Sequence, residues 1–143
     1  MNCNIEKKQQ GLSLIEIMVA ISILVIVYIS LMSSFPFGLS INKSAENVTA
    51  ASFFAQEKIE ELVSLDYANI GTGAIEIKHR LSLDSADYLY NYQRKTDVSY
   101  VDENLIDSIN DTGMKKISTT IYYIDAISKT EQSYIISTLI SER

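Results

Sequence analysis

GLSLIEIMVAISIL, residues 11–24, decides how the whole chain folds, because it joins a polar start to a long apolar run. Residues 1–11 are polar and include Lys7 and Lys8, whereas residues 12–31 are almost wholly apolar. Between Lys8 and Lys43 the only charged side chain is Glu16. As a helix, residues 17–41 would cover roughly 38 Å at about 1.5 Å per residue, more than the roughly 30 Å of a bilayer's hydrocarbon core. The spacing predicts a membrane-crossing helix. Lys7 and Lys8 ahead of it predict a single pass with the N-terminus in the cytoplasm and the rest facing outward.

Three kinds of segment share this layout. A secretory signal peptide has a core of about 7 to 15 apolar residues, and this one is longer and contains Glu16. A plain signal anchor accommodates the length but gives no reason for a carboxylate, which costs up to about 3 kcal/mol in hydrocarbon. The third kind gives that carboxylate a partner.

Residues 11–24 resemble the cleavage and methylation segment of type IV prepilins and type II secretion pseudopilins. In that family a membrane peptidase cuts after the glycine and methylates the new amino group, and a glutamate is the fifth mature residue. Gly11, Leu12 and Glu16 match those positions, with Leu12 standing where phenylalanine is usual. The resemblance implies a leader of residues 1–11, cleavage between Gly11 and Leu12, N-methylation of Leu12 and an assembly contact through Glu16. A new amino group at Leu12 would have a pKa near 7.7 to 8.0 and be mostly cationic, and methylation keeps that charge. In an apolar filament core a lone ammonium or carboxylate is costly, and each relieves the other. The implied partners are other pilins or pseudopilins, the prepilin peptidase and the inner-membrane assembly platform. The implied location is the cytoplasmic membrane, then a cell-surface or periplasmic filament.

Pro36 lies inside the apolar run, between Phe35 and Phe37. Proline removes a helix hydrogen bond and clashes with the preceding turn, which predicts a kink or a locally melted turn over residues 33–38. Beyond Asn42, Ala45, Val48, Ala51, Ala55, Ile59 and Leu62 recur every three or four residues opposite charged positions, the pattern of an amphipathic helix laid on a sheet. With no glycine or proline in residues 39–68, the helix is expected to end near Tyr67, before Gly71 and Gly73. Residues 53–67, FFAQEKIEELVSLDY, resemble the corresponding place in minor pilins of the PilV class and pseudopilins of the I class.

After Gly73 the period shifts toward two. Residues 74–83 would set Ile75, Ile77, His79 and Leu81 on one strand face, residues 88–93 read as a second strand, and residues 116–125 and 132–141 as a hairpin closed by residues 126–131. The expected fold is α+β: a long N-terminal helix, its second half packed on an antiparallel sheet of about four strands. The expected divisions are 1–11 leader, 12–41 apolar helix, 42–68 amphipathic helix and 69–143 β head.

Candidate chemistry beyond the N-terminus is thin. His79 is the only histidine, standing between Lys78 and Arg80, and acid–base catalysis needs a positioned partner. Asp102, Glu103, Asp107 and Asp111 could supply oxygen ligands to calcium, but their spacing does not fit an EF-hand, and a solvated loop is expected. Nine tyrosines suit half-buried sheet surfaces and also interfaces. A net charge of −6 disfavours direct nucleic-acid binding. Cys3 precedes the expected cut, so the mature chain would hold no disulfide. The sequence therefore points to a non-enzymatic minor pilin or pseudopilin without cofactor or metal. The alternative is a signal-anchored extracytoplasmic binding module that never joins a filament.

Overall fold

The computed structural model describes residues 13–142. In chain order it contains α1 (Leu14–Val63), a 3₁₀ turn (Tyr67–Asn69), β1 (Gly73–Arg80), a second 3₁₀ turn (Tyr88–Asn91), β2 (Tyr92–Val101), β3 (Asp107–Ser108), β4 (Met114–Ile124) and β5 (Glu131–Ser141). The chain divides into two compact units between Leu39 and Ser40, inside α1. The expected α+β fold is present, with one long helix and an antiparallel sheet of five strands. Four strands run in the order β1-β2-β4-β5, and the two-residue β3 adds to the end of β2.

Helix and sheet meet through small side chains. Asn47, Ala51, Ala55, Ile59 and Leu62 form the buried stripe of α1, and Ala51 and Ala55 are 0% exposed. Alanine at the point of contact lets the helix lie close over the sheet, where Tyr92, Ile121 and Tyr123 form one apolar cluster with it. Ile59, Leu62, Ile70, Val98 and Ile117 form a second. Phe54 meets the Tyr92 ring edge-on at 5.1 Å, a favoured aromatic geometry. The expected stripe shifts at its start: Asn47 is buried while Ala45 and Val48 are exposed. The Asn47 amide donates to the Ile124 carbonyl at 3.1 Å and its oxygen accepts from the Tyr92 hydroxyl at 3.3 Å, so a polar residue occupies a core position with its bonds made.

Three expectations are corrected in this unit, and one strand is added. The helix stops at Val63, not near Tyr67. Ser64 donates its hydroxyl to the Glu61 carbonyl at 2.6 Å, and the Leu65 amide turns to Leu62 at 3.1 Å. The side chain takes the acceptor that the next helical bond would need. Residues 88–91 are not strand but a 3₁₀ turn, started by the Asp87 carboxylate accepting from the Leu89 amide at 3.0 Å. In β1 the common face of Ile75, Ile77 and His79 does not form. The register slips on both sides of Glu76, Ile77 is 75% exposed, and Glu76 is the residue turned toward the core. The main strand over residues 94–101 is a further element with no expected counterpart. Its charges divide between the two faces: Lys95 and Asp97 pair at 2.6 Å on the outer face, while Arg94 lies on the inner face against Glu76, beside the buried Tyr92, Thr96 and Val98.

The expected hairpin is β4 and β5, in register from Met114↔Ser141 to Ile124↔Glu131. Its six-residue turn folds around Asp125, whose carboxylate accepts from the amides of Ile127 and Ser128 at 3.1 and 2.8 Å and from the Ser44 hydroxyl of α1. The two edges of the sheet differ. β1 carries Glu76, Lys78, His79 and Arg80 and two irregularities, whereas residues 132–141 of β5 carry no charge.

Lys115, only 3% exposed, holds the connection from α1 to β1. Its ammonium donates to the carbonyls of Tyr67 and Ile70 at 2.8 and 2.7 Å and lies 4.1 Å from the Tyr67 ring centre. Lys115→Met would keep the volume and strand two buried carbonyls, which costs about 1–3 kcal/mol. Chemical unfolding of the full chain in detergent, followed by the tyrosine near-ultraviolet dichroism of the sheet, should show that loss. Lys116→Met, on the outer face, should fall well short of it.

Candidate functional site: an exposed apolar helix with one carboxylate

The N-terminal part of α1 combines features that water does not favour together. From Leu14 to Leu39 every residue is exposed within the chain, Leu14 and Phe35 by 78% and 69%. Among the described residues it is the one helix long and apolar enough to cross a membrane, and none of its apolar window is buried. At 1.5–3 kcal/mol per large apolar side chain, moving this surface out of water is worth on the order of tens of kcal/mol.

The polar side chains inside the run are satisfied locally. Ser22, Ser30, Ser33 and Ser34 donate to the carbonyls of Met18, Ile26, Ile29 and Ser30 at 2.8, 2.9, 2.6 and 2.9 Å. Such back-bonding lets serine sit in hydrocarbon without an unpaired hydroxyl. Glu16 differs. Its amide starts the helix on the Ser13 carbonyl at 3.0 Å, and an acid in the first turn suits the helix dipole. Its carboxylate, however, has no hydrogen bond or ion pair among the described residues. Gly11 and Leu12 lie outside the described residues. Pro36 sits within α1, and residues 33–38 are helical throughout, so the locally melted turn does not form in this state.

The other candidate residues are engaged in local structure. The His79 Nδ1 lies 2.9 Å from the Ile77 carbonyl and its Nε2 3.4 Å from the Glu76 carboxylate. Glu76 accepts from the Arg94 guanidinium at 2.9 and 3.0 Å and from the Thr96 hydroxyl at 2.9 Å. Burial pushes the Glu76 carboxyl up, but the hydrogen bonds from Arg94 and Thr96 outweigh it and hold the group below its usual range. Asp102 accepts from the amides of Asn104 and Ile106, both at 2.9 Å. Asp107 pairs with Lys116 and accepts from Ser99. Asp111 accepts from the Tyr67 hydroxyl at 2.6 Å and the Gly113 amide at 2.9 Å. Among the described residues no group of three potential ligands is placed to hold a metal ion.

A helix of this kind with a small sheet packed on its second half is the build of a pilin-like subunit. A family model for the prokaryotic N-terminal methylation motif matches residues 7–31, which takes in Glu16 and the whole of the apolar stretch 12–31. No curated protein and no solved structure matches the chain. The motif supports a type IV pilin-like protein, pilin or pseudopilin, that is a substrate of prepilin peptidase. Together with the apolar helix it fits a pilin anchored in the inner membrane. The type IV pilin family is structural rather than enzymatic.

Carboxylates tie the head together, and this gives it an acid limit. Asp125 is held down to about 2 by the Ser128 amide first and then by the Ser44 hydroxyl, and Glu76, Asp107 and Asp111 are also lowered. A lowered carboxyl stabilises the fold above its ordinary pKa, and that stabilisation is lost as pH falls through the folded value. For Asp125 the window runs from its ordinary 3.8 down to about 2. The melting temperature should hold nearly level from pH 7 to about 5 and then fall toward pH 2. Asp125→Asn should melt lower at pH 7 and show a shallower acid fall in the same dichroism scan.

Proposed function

We propose that the chain is a minor pilin or pseudopilin of a type IV pilus or a type II secretion-like filament. Prepilin peptidase removes residues 1–11 and methylates the amine of Leu12. Residues 12–41 form the membrane anchor and later the filament core, residues 42–68 carry the head on their amphipathic face, and residues 69–143 supply the rest of the head. The N-terminus starts in the cytoplasm and the head faces outward.

One observation carries this reading: Glu16 is a carboxylate without a partner among the described residues, on a helix whose serines bond their own backbone. A charge left alone in hydrocarbon costs several kcal/mol. In the assembled state its partner is the Leu12 ammonium of a neighbouring subunit, and this pair sets the axial register while the apolar surfaces supply most of the attraction. Pro36, which cannot donate a helix hydrogen bond, is the point at which the anchor can change direction as it leaves the bilayer.

Mass spectrometry of the N-terminal peptide, from cells carrying a prepilin peptidase, should find a chain starting at N-methyl-Leu12. An intact Met1 terminus beside an active peptidase would instead indicate a signal-anchored binding module. Glu16→Ala should leave cleavage intact and sharply reduce the protein recovered in sheared filaments. Normal incorporation of that variant would remove Glu16 from the assembly contact.

A further inference from the structure

A second site lies wholly within the unit that begins at Ser40. It is a pocket of about 280 Å³ where the start of the amphipathic part of α1, the turn over Tyr88–Asn91 and the β4–β5 turn converge. Its floor is an ordered chain of hydroxyls. Asn47 fixes its amide by donating to the Ile124 carbonyl, so its oxygen accepts from Tyr92 at 3.3 Å. Tyr92 has one proton, and with that proton directed to Asn47 the 2.6 Å contact between the Tyr88 and Tyr92 hydroxyls is donated by Tyr88. The Tyr88 oxygen is left with lone pairs only, which makes it an acceptor for a cationic donor.

The rim carries the opposite chemistry beside it. Lys43 pairs with Glu46 at 2.9 Å and lies 5.4 Å from the Tyr88 ring centre. Lys129 lines the pocket, held in the turn by a left-handed backbone at φ 56°, and its ammonium has no ion pair or hydrogen bond among the described residues. Asp125 also lines the pocket, but its oxygens are taken by Ser44, Ile127 and Ser128. The site thus offers ammonium groups to an anion and, next to them, an acceptor oxygen and an aromatic face to a cation.

Position along the chain says where such a ligand would come from. Lys43 follows Ile41, the last apolar residue before it, by two residues, a reach of at most about 7 Å. The headgroup layer on each side of a bilayer is about 5–8 Å deep, and tyrosines collect at that depth. We propose that the pocket holds the headgroup of a zwitterionic phospholipid from the outer leaflet, its phosphodiester against Lys129 and Lys43 and its primary ammonium against Tyr88. This inference rests on the membrane-anchored, head-outward reading above.

The test uses the full chain in nanodiscs of equal parts phosphatidylethanolamine and phosphatidylglycerol, released into detergent for native mass spectrometry. The chain should retain the ethanolamine lipid at least about fivefold over the glycerol lipid. The double variant Lys43→Ala, Lys129→Ala should lose roughly tenfold in retention, the value of a lost charge-assisted hydrogen bond. Tyr88→Phe should bring the two lipids to equal retention, and near-ultraviolet dichroism would show both variants folded. Equal retention by the parent chain, or retention unchanged in the variants, would overturn the site while leaving the anchored reading intact. Binding of soluble glycerophosphoethanolamine without retention of the lipid would overturn the membrane source. A chain that failed to enter the discs would overturn the anchored reading and this site with it.

Discussion

The constraint that governs this molecule is the apolar surface of the first half of α1, which is exposed among the described residues. Folding alone cannot relieve it, so the surroundings must: first lipid, and in the reading proposed above, the helices of neighbouring subunits. Within that surface the chain handles polarity in two ways. Serines are closed back onto their own helix and ask nothing of their surroundings. Among the described residues nothing pairs with Glu16, and an open charge in an apolar setting discriminates among neighbours by whether they bring the opposite sign.

The sheet-bearing unit follows the reverse rule, with nothing buried left unpaired. No buried side-chain nitrogen or oxygen among the described residues lacks a hydrogen bond. Its two apolar clusters are separate, and the fully buried hydroxyls of Thr96 and Thr119, 3.5 Å apart, belong to neither. Through Thr96 this polar seam reaches Glu76 and Arg94 on the β1 side. Lys115 makes a comparable anchor at the far end of the helix. A greasy interface tolerates sliding, but a satisfied polar network has one good register, which suits a unit whose buried apolar residues on α1 are half alanine.

How much of this could be read from the residues alone varies with the range of the interactions involved. The apolar run and its lone glutamate are local composition, and the β4–β5 hairpin is local alternation, so both were legible. The end of α1 was misplaced by four residues because Ser64 ends it through a side-chain bond that periodicity does not register. The body of β2 was hidden by its charges: Lys95 and Asp97 make sense only once one sheet face is known to meet water, and Arg94 only once Glu76 is known to lie beside it. Glu76 was passed over in favour of its isoleucine neighbours, since its role depends on Arg94 and Thr96, 18 and 20 residues away. The tyrosine pocket draws on three segments that only the fold brings together, and the expectation of half-buried tyrosines was as far as sequence could go.

The uneven edges of the sheet carry a cost for the cell. β1 is guarded by charges and broken register, but β5 offers ten uncharged residues with Ile135 and Leu139 well exposed. Natural proteins place charges, prolines or bulges on edge strands because a bare edge templates pairing with any other extended chain. The bare β5 edge therefore ties the chain's tendency to misassociate to its own concentration: as copies crowd together, each open edge meets another, and nothing in residues 132–141 opposes the pairing.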